Sequence, residues 1–432
     1  MFEFLNKLFH KTPETPAVAN PETFAPVRAP SALPDVALPP LMQSEPVVDG
    51  QGALMGTLFR LRHTHRHHAD LHAVHLDTVL LESFRRLAST AKSSRHWLVE
   101  LGAGSLKLST LDELAAREAT LLLMPGNLPD NAEARLTELK EKGLRIALYL
   151  PGKWPAGLVK LASAFAFPVH GRTPEQAAEL VQRLKSISPR AAIIAVDIAW
   201  REEYAWAKRI GCHFAAGQLF NSQHWPDEPI DPGFIRVLDL LNLVRREAEI
   251  PEIARVLKTD ALLSLRLLKQ VNSAGAGLVN RIDSIEQALV VLGRSQLYRW
   301  LALLIYAHPG AVENSPALQE MAQIRGELML RMGRDHLPGQ AENLYLAGLF
   351  SLLDALLQRP LARILADVDL ASPVRLALLA DTGPFAPYLR LAKAAELPEP
   401  PTPAQLTACG LDETTFNNYL VDALIAVEKL EM

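Results

Sequence analysis

The sequence predicts two folded parts of different class, an α/β part followed by an all-α part, and three observations carry that expectation. Short apolar runs of strand length alternate with helical stretches from residue 47 to about 220. From Val244 onward, apolar residues recur at helical spacing between capping residues and glycine stops. Ahead of both, residues 12–46 hold nine prolines among Ala, Glu, Thr and Val, a composition that builds no core and reads as an extended tether. A chain of 432 residues suits two domains with accessories, and 49% apolar side chains can fill sizeable cores.

The chain opens with MFEFLNKLFHK, in which Phe2, Leu5, Leu8 and Phe9 share one helical face. An amphipathic tip on a Pro-rich tether reads as a docking peptide for a partner or a membrane surface, or as a tip packed on its own protein. The expected divisions are residues 1–46 for tip and tether, 47–225 for the α/β domain and 226–432 for the helical domain.

In the α/β part, residues 97–101, 120–124, 145–150, 165–169 and 191–196 have the length and apolar content of buried strands. Helical stretches fall between them at 131–142 and 174–185, the second with Pro174 in its first turn. In the helical part, Ile253, Val256 and Leu257 share a face, and Asp260 is placed to cap a helix bearing Leu263, Leu267 and Val271. Residues 272–277 stop that helix. Ser284 can then accept from the backbone of Gln287, with Ile285, Ala288, Leu289 and Leu292 as one stripe and Gly293 as a left-handed stop. Short helices ended by glycine and followed at once by another helix indicate a compact bundle.

A net charge of −4 offers no broad basic surface for nucleic acid. Trp154, Trp206 and Trp225 lack the spacing of a base-stacking platform and read as core or domain-interface residues. Cys212 and Cys409 suggest neither a disulfide framework nor a zinc site, which fits a reducing cytoplasm. No run is long and apolar enough to span a membrane, and no signal peptide is evident. The expected location is cytoplasmic. Six histidines crowd residues 63–75, with His68 and His72 one helical turn apart; that spacing can chelate a transition metal, but partial protonation near neutral pH is its expected consequence. SAGAGL at 273–278 lacks the preceding strand and third glycine of a dinucleotide fingerprint, so it reads as a tight interhelical turn.

The tract IPEIARVLKTDALLSLRLLKQVNSAGAGLVNRIDSIEQALVVLGRSQLYRWLALL resembles the HDOD domain, a helical relative of the HD phosphohydrolases, in four motifs in register. These are the helix opening at Asp260, Asn272-Ser273-Ala274, the helix from Ser284 to Gly293, and Arg299-Trp300. HD hydrolases hold metal through separated histidines and a His-Asp pair. The chain has no His-Asp doublet, and residues 226–432 hold only His308 and His336. Asp335-His336 is in the reverse order and reads as a solvated helix end. The resemblance therefore implies a hydrolase scaffold without hydrolase chemistry.

A second resemblance lies upstream. VVDGQGALMGTLFRLR, LKEKGLRIALYL and IIAVDIAWREEYAWAKRIGCHFAAGQLF are similar to the opening strand pair, a central helix and strand, and the closing strands of an EAL domain, the barrel of cyclic-di-GMP phosphodiesterases. YLAGLFSLLDALLQRPL at 345–361 also resembles the two-domain EAL-HDOD family. An active EAL barrel needs carboxylates and a lysine around divalent metal. The resemblance puts Leu58 at the signature glutamate, Tyr149 and Leu150 at paired aspartates, Glu100 at an asparagine and Ala216 at a glutamine. A glutamate is missing near Met124 and a lysine near residues 167–170, while Asp197 conserves one acidic position. One surviving acid cannot assemble a two-metal site. About 175 residues are also fewer than the roughly 200 to 250 of a full barrel, so a missing or shrunken element is expected.

The expected architecture is thus a degenerate EAL-like, TIM-barrel-derived domain followed by an all-helical HDOD domain. The expected function is that of a non-catalytic bacterial signal-transduction scaffold acting through protein partners, with no cofactor, no metal and no catalytic residue. Asn272, Ser273, Arg294 and Arg299 are the candidate partner contacts, whereas Trp300 shares the inward side of Leu297, Leu301 and Leu304. The alternatives are a cyclic-di-GMP sensor using the degenerate barrel, or a residual phosphodiesterase or HD phosphohydrolase.

Overall fold

The computed structural model describes residues 41–62, 71–90, 96–115, 119–220, 232–272, 282–306, 315–366, 368–397 and 401–430. The amphipathic tip, the tether as far as Pro40, most of the histidine cluster, Trp225 and Ser273 lie outside them.

Eight strands close into a barrel. They are β1 (Leu41–Asp49), β2 (Leu54–Arg62), β3 (His96–Gly102), β4 (Thr120–Met124), β5 (Arg145–Tyr149), β6 (Ala164–Pro168), β7 (Ala192–Ile198) and β8 (Phe214–Gly217). The first strand is antiparallel to both of its neighbours, β2 and β8, and every other pair is parallel. The crossovers carry α1 (Leu71–Thr90), α2 (Leu111–Ala115), α3 (Ala132–Glu141), α4 (Ala156–Leu161), α5 (Pro174–Ile187) and α6 (Arg201–Arg209). In α5 the Pro174 start is completed by a capping box between Thr173 and Gln176. The shortness of the domain is therefore in its helices, since α2 and α4 have only five and six residues, and the sheet still closes.

The sequence reading needs one correction at the start. Residues 41–46 are not tether but the first half of β1, with Met42, Gln43 and Glu45 buried. Polar Gln43 and Glu45 break the apolar pattern, and Pro46 argues against a strand. Proline is nevertheless tolerated here, because β8 pairs only with residues 47–49 of β1 and leaves the earlier half an open edge.

Inside the barrel, every strand contributes to a closed apolar layer: Val47, Leu58, Leu98, Leu122, Ala147, Ala164, Ala166, Ile194, Val196 and Ala216. Leucines from β2, β3 and β4 fill one side, and alanines from β5 and β6 leave room for them. This is a packed floor, as in other barrels of the type.

The helical part runs through α7 (Pro232–Arg245), α8 (Ile250–Leu257), α9 (Ala261–Val271), α10 (Ile285–Leu304), α11 (Ser315–His336), α12 (Ala341–Phe350), α13 (Leu353–Leu357), α14 (Leu361–Ile364), α15 (Ser372–Ala380), α16 (Ala386–Ala394), α17 (Pro403–Ala408) and α18 (Glu413–Leu430). Asp260 caps α9 by accepting from the backbone of Leu262 and Leu263, both at 3.0 Å. Ser284 accepts from Gln287, and Gly293 at φ +73° breaks α10 in two. Burial follows the expected stripes, with Leu263, Leu267 and Val271 on α9 and Ile285, Ala288 and Leu289 on α10 all inside.

The two parts meet along β1. Helix α18 packs on β1 and α1, and the Asn417 side chain accepts from the Met42 backbone at 3.0 Å and donates to Ser83 Oγ at 3.3 Å. Among the described residues, no helix is long and apolar enough to cross a membrane.

Helices α11 and α12 form a hairpin whose approach depends on glycine: a Cβ on Gly348 would lie 2.7 Å from the Arg325 carbonyl oxygen and 2.9 Å from Gly326 Cα. Gly348→Ala is expected to lower stability by about 1 to 3 kcal/mol in denaturant unfolding, through forced separation of the pair. Gly50→Ala, with nothing within 4 Å of its would-be Cβ, is expected to stay within about 0.5 kcal/mol of the parent.

Candidate functional site

In barrels of this kind, chemistry sits at the carboxyl ends of the parallel strands. Strand alternation puts the next inward residues there: Arg60 two beyond Leu58, Glu100 two beyond Leu98, and Tyr149 two beyond Ala147. Because β1 runs the other way, its Glu45 and Gln43 reach the same level. The result is a polar layer on an apolar floor.

Its centre is a cation. Arg60 is 1% exposed and donates through Nη1 to Asp197 Oδ1 at 2.5 Å. Glu45 and Glu100 stand 3.4 Å from its Nη2 and Nε, close enough to pair in charge. Burial alone would favour the neutral form. The charges of Glu100, Glu45 and Asp197 outweigh it and hold the guanidinium above its ordinary pKa. Tyr149 donates to the other Asp197 oxygen at 3.1 Å, and burial, with the Asp197 and Glu100 charges, pushes its phenol far up. Gln43 closes the layer by donating to Glu45 at 2.5 Å.

The positions marked by sequence resemblance separate on this floor plan. Leu58 and Ala216 are wholly buried in the apolar layer. Tyr149 faces the lumen, but Leu150 packs outward in the main core. Asp197 needs correction: the β7 residue in the interior layer is Val196, and Asp197 follows it at φ +54°, where the β7–β8 register shifts. A left-handed non-glycine residue is strained, and the Asp197 bond to Arg60 is what the strain secures. Phe167 faces the outer core, and His170 lies in solvent 3.0 Å from Glu203. Trp154 and Trp206 are buried, the former donating to the Tyr149 carbonyl at 3.0 Å.

A divalent metal does not fit this donor set. The carboxylates converge on a guanidinium that already supplies the positive charge, and the floor beneath offers no oxygen. Among the described residues, no group of three or more His, Cys, Asp or Glu could hold a metal ion.

In the helical part, three of the four candidate partner residues have work within the chain. Asn272 donates to the carbonyls of Leu268 and Ile282 and accepts from the Ile282 backbone, tying the two sides of the segment between α9 and α10. Arg294 Nη1 donates to the Ala248 carbonyl at 2.8 Å. Arg299 does not project freely: both of its edges grip Glu342, Nε at 2.8 Å, and its guanidinium lies 5.1 Å from the Tyr345 ring centre. Trp300 packs against the core as its stripe predicts. Asp335 accepts from Tyr419, and His336 ends α11.

Sequence reasoning missed Glu45 and Arg60 as site residues. The available signal was Arg60 itself, a charged residue inside the apolar run LFRL, because an arginine in a buried strand demands partners.

Residues 232–358 match the HDOD domain model, so this stretch is an HDOD domain. The chain is 28% identical over 207 residues to the uncharacterized protein YuxH of Bacillus subtilis strain 168, covering 47% of this chain and 51% of that protein. It is 25% identical over 224 residues to the cyclic di-GMP phosphodiesterase CdgJ of Vibrio cholerae, covering 51% and 52%. The chain thus spans about half the length of these curated relatives. Solved structures similar to the N-terminal half include the EAL domain of Mycobacterium smegmatis DcpA, at 16% identity and a TM-score of 0.33, covering 42% of this chain and 91% of that one. A standalone EAL protein of Vibrio cholerae O395, bound to c-di-GMP, matches at 14% identity and a TM-score of 0.34 over 42% and 91%.

Two substitutions test the contacts. Arg60→Met leaves three acids without their cation, and loss of one partner from a buried charge set costs roughly 3 to 5 kcal/mol; guanidinium unfolding that moves by less than 1 kcal/mol would mean the layer is open to water. Arg299→Glu is expected to lose about 1 to 2 kcal/mol, by removing the Glu342 pair and the ring contact. Adding Glu342→Arg should restore part of that loss, and no recovery would assign the effect to packing instead.

Proposed function

We propose that this chain is a non-catalytic signal-transduction protein, in which an inactive EAL-like barrel serves as a platform and the HDOD domain recognises protein partners. The observation that carries this reading is the buried Arg60 with its acids. A phosphodiesterase of the barrel's type needs hard cations to orient water and stabilise charge on a phosphodiester. Here the positive charge is a fixed side chain, and three acids that could face an ion face that guanidinium instead. The apolar Leu58 and Ala216 below it add no ligand.

For the HDOD domain, the supporting observation is what it leaves in solvent: Leu262 and Leu265 on α9 are each 49% exposed, and Val290 and Val291 on α10 are 64% and 50% exposed. Apolar side chains of this kind are what protein interfaces bury at their centres. Asn272, Arg294 and Arg299, occupied within the domain, are better placed to hold that surface in shape than to grip a partner themselves.

The relative from Vibrio cholerae carries the name of a phosphodiesterase, so turnover is the outcome to look for. Full-length protein incubated with cyclic di-GMP and magnesium or manganese is expected to yield no linear product by chromatography. Turnover that a chelator abolishes and that Asp197→Asn removes would overturn the reading. Saturable heat on titration with the nucleotide, without product, would instead make the barrel a cyclic-di-GMP sensor.

A further inference from the structure

The polar layer of the barrel does not end at the barrel wall. From Tyr149 the path runs through Asp197 and Arg60 to Glu45 and then to Gln43. Gln43 Nε2 also donates to the main-chain carbonyl of Glu396 at 3.1 Å, and Gln218, just beyond β8, donates to the same oxygen at 2.5 Å. Glu396 follows α16 in the helical part. Its carboxylate takes both edges of Arg325, at 2.8 and 2.5 Å, and Arg325 donates to Ser351 Oγ at 2.5 Å. Ser351 in turn donates to the Gly348 carbonyl at 2.6 Å, at the crossing of α11 and α12. Arg325, Ser351 and Gly348 all belong to the HDOD domain.

The inner members of this route are shielded, with Gln43 0% exposed, Glu45 4%, Arg60 1% and Arg325 5%, while Asp197 and Glu396 are partly exposed. In such surroundings an unpaired charge or amide is expensive, so displacement of one member forces its neighbour to find another partner. The two guanidiniums act as fixed ends. Between them Glu396 touches both parts, with its carbonyl on the barrel and its carboxylate on the HDOD domain.

We propose that Glu396 is a clasp that couples the barrel lumen to the HDOD domain, so that a change at Tyr149 and Asp197 alters the packing of α11 against α12. The inference does not depend on whether the barrel turns over a substrate. Its physical content is a contiguous chain of paired groups with two halves that meet at one residue.

Hydrogen exchange on the full chain tests it, read by mass spectrometry for the parent, Tyr149→Phe and Asp197→Asn, each with and without the pair Gln43→Leu and Gln218→Leu. Asp197→Asn is expected to speed exchange in α11 and α12 by about threefold or more, the rate equivalent of the weaker couplings between residues sharing a network, while α5 stays unchanged. Tyr149→Phe, which removes one hydroxyl and keeps the ring, should act in the same direction to a smaller extent. In the leucine background neither substitution should reach α11 or α12. Acceleration confined to the barrel strands, or equal acceleration of α11 and α12 in both backgrounds, would overturn the clasp. Should Asp197→Asn fail to fold, Tyr149→Phe decides alone by the same criterion. Product formation from cyclic di-GMP is scored separately, so the fate of the non-catalytic reading does not enter this result.

Discussion

A guanidinium cannot be taken out of water without acids around it, and much of this molecule is arranged to meet that condition twice. Arg60 in the barrel and Arg325 in the HDOD domain are both nearly sealed from solvent. Around Arg60, acids arrive from β1, β3 and the end of β7, which explains features that look irregular when taken singly. The first strand starts in a polar, Pro-containing stretch because Glu45 must reach the lumen. The seventh ends in a left-handed aspartate because a regular strand would point that carboxylate into the wall. Closure of a barrel with such short helices is then less puzzling, since charge pairing fastens the lumen across the sheet and the leucine–alanine floor fills it below.

What was legible in the sequence follows the same division. Strands β4 and β5 could be read almost to the residue, because 120–124 and 145–149 are apolar on both faces, as parallel barrel strands must be. The caps at Asp260 and Ser284 and the left-handed Gly293 were legible because local backbone chemistry decides them. The first half of β1 was not. Its inward residues are polar because Arg60 on the facing strand β2 needs a counter-ion, and a window that reads one strand at a time does not contain that reason. Arg299 shows the opposite error. Helical spacing correctly placed it away from the stripe of Leu297 and Leu301, but facing away from one core does not mean facing solvent when Glu342 and Tyr345 of another helix are there.

A buried arginine at the centre of a barrel differs in kind from a bound metal ion. A bound ion exchanges with solvent and can be lost, whereas a guanidinium is covalent and always charged. A site built on it keeps its charge permanently. The acids of the polar layer serve as its counter-ions. Glu100 and Asp197 would each be scored as candidate ligands in a count of carboxylates; in the fold they are spent on Arg60.

The course of the chain adds a constraint on where signals can enter. After the HDOD domain, α15 and α16 pack on α12 and α11, and α18 lies against α11, β1 and α1 with Asn417 bonded to the Met42 backbone. Leu41, where β1 begins, therefore lies at the seam between the two parts, next to Met42 and Gln43. Gln43 donates there to the Glu396 carbonyl. The strand hardest to recognise in the sequence is thus the one that meets the barrel lumen through Glu45 and the helical part through Met42 and Gln43.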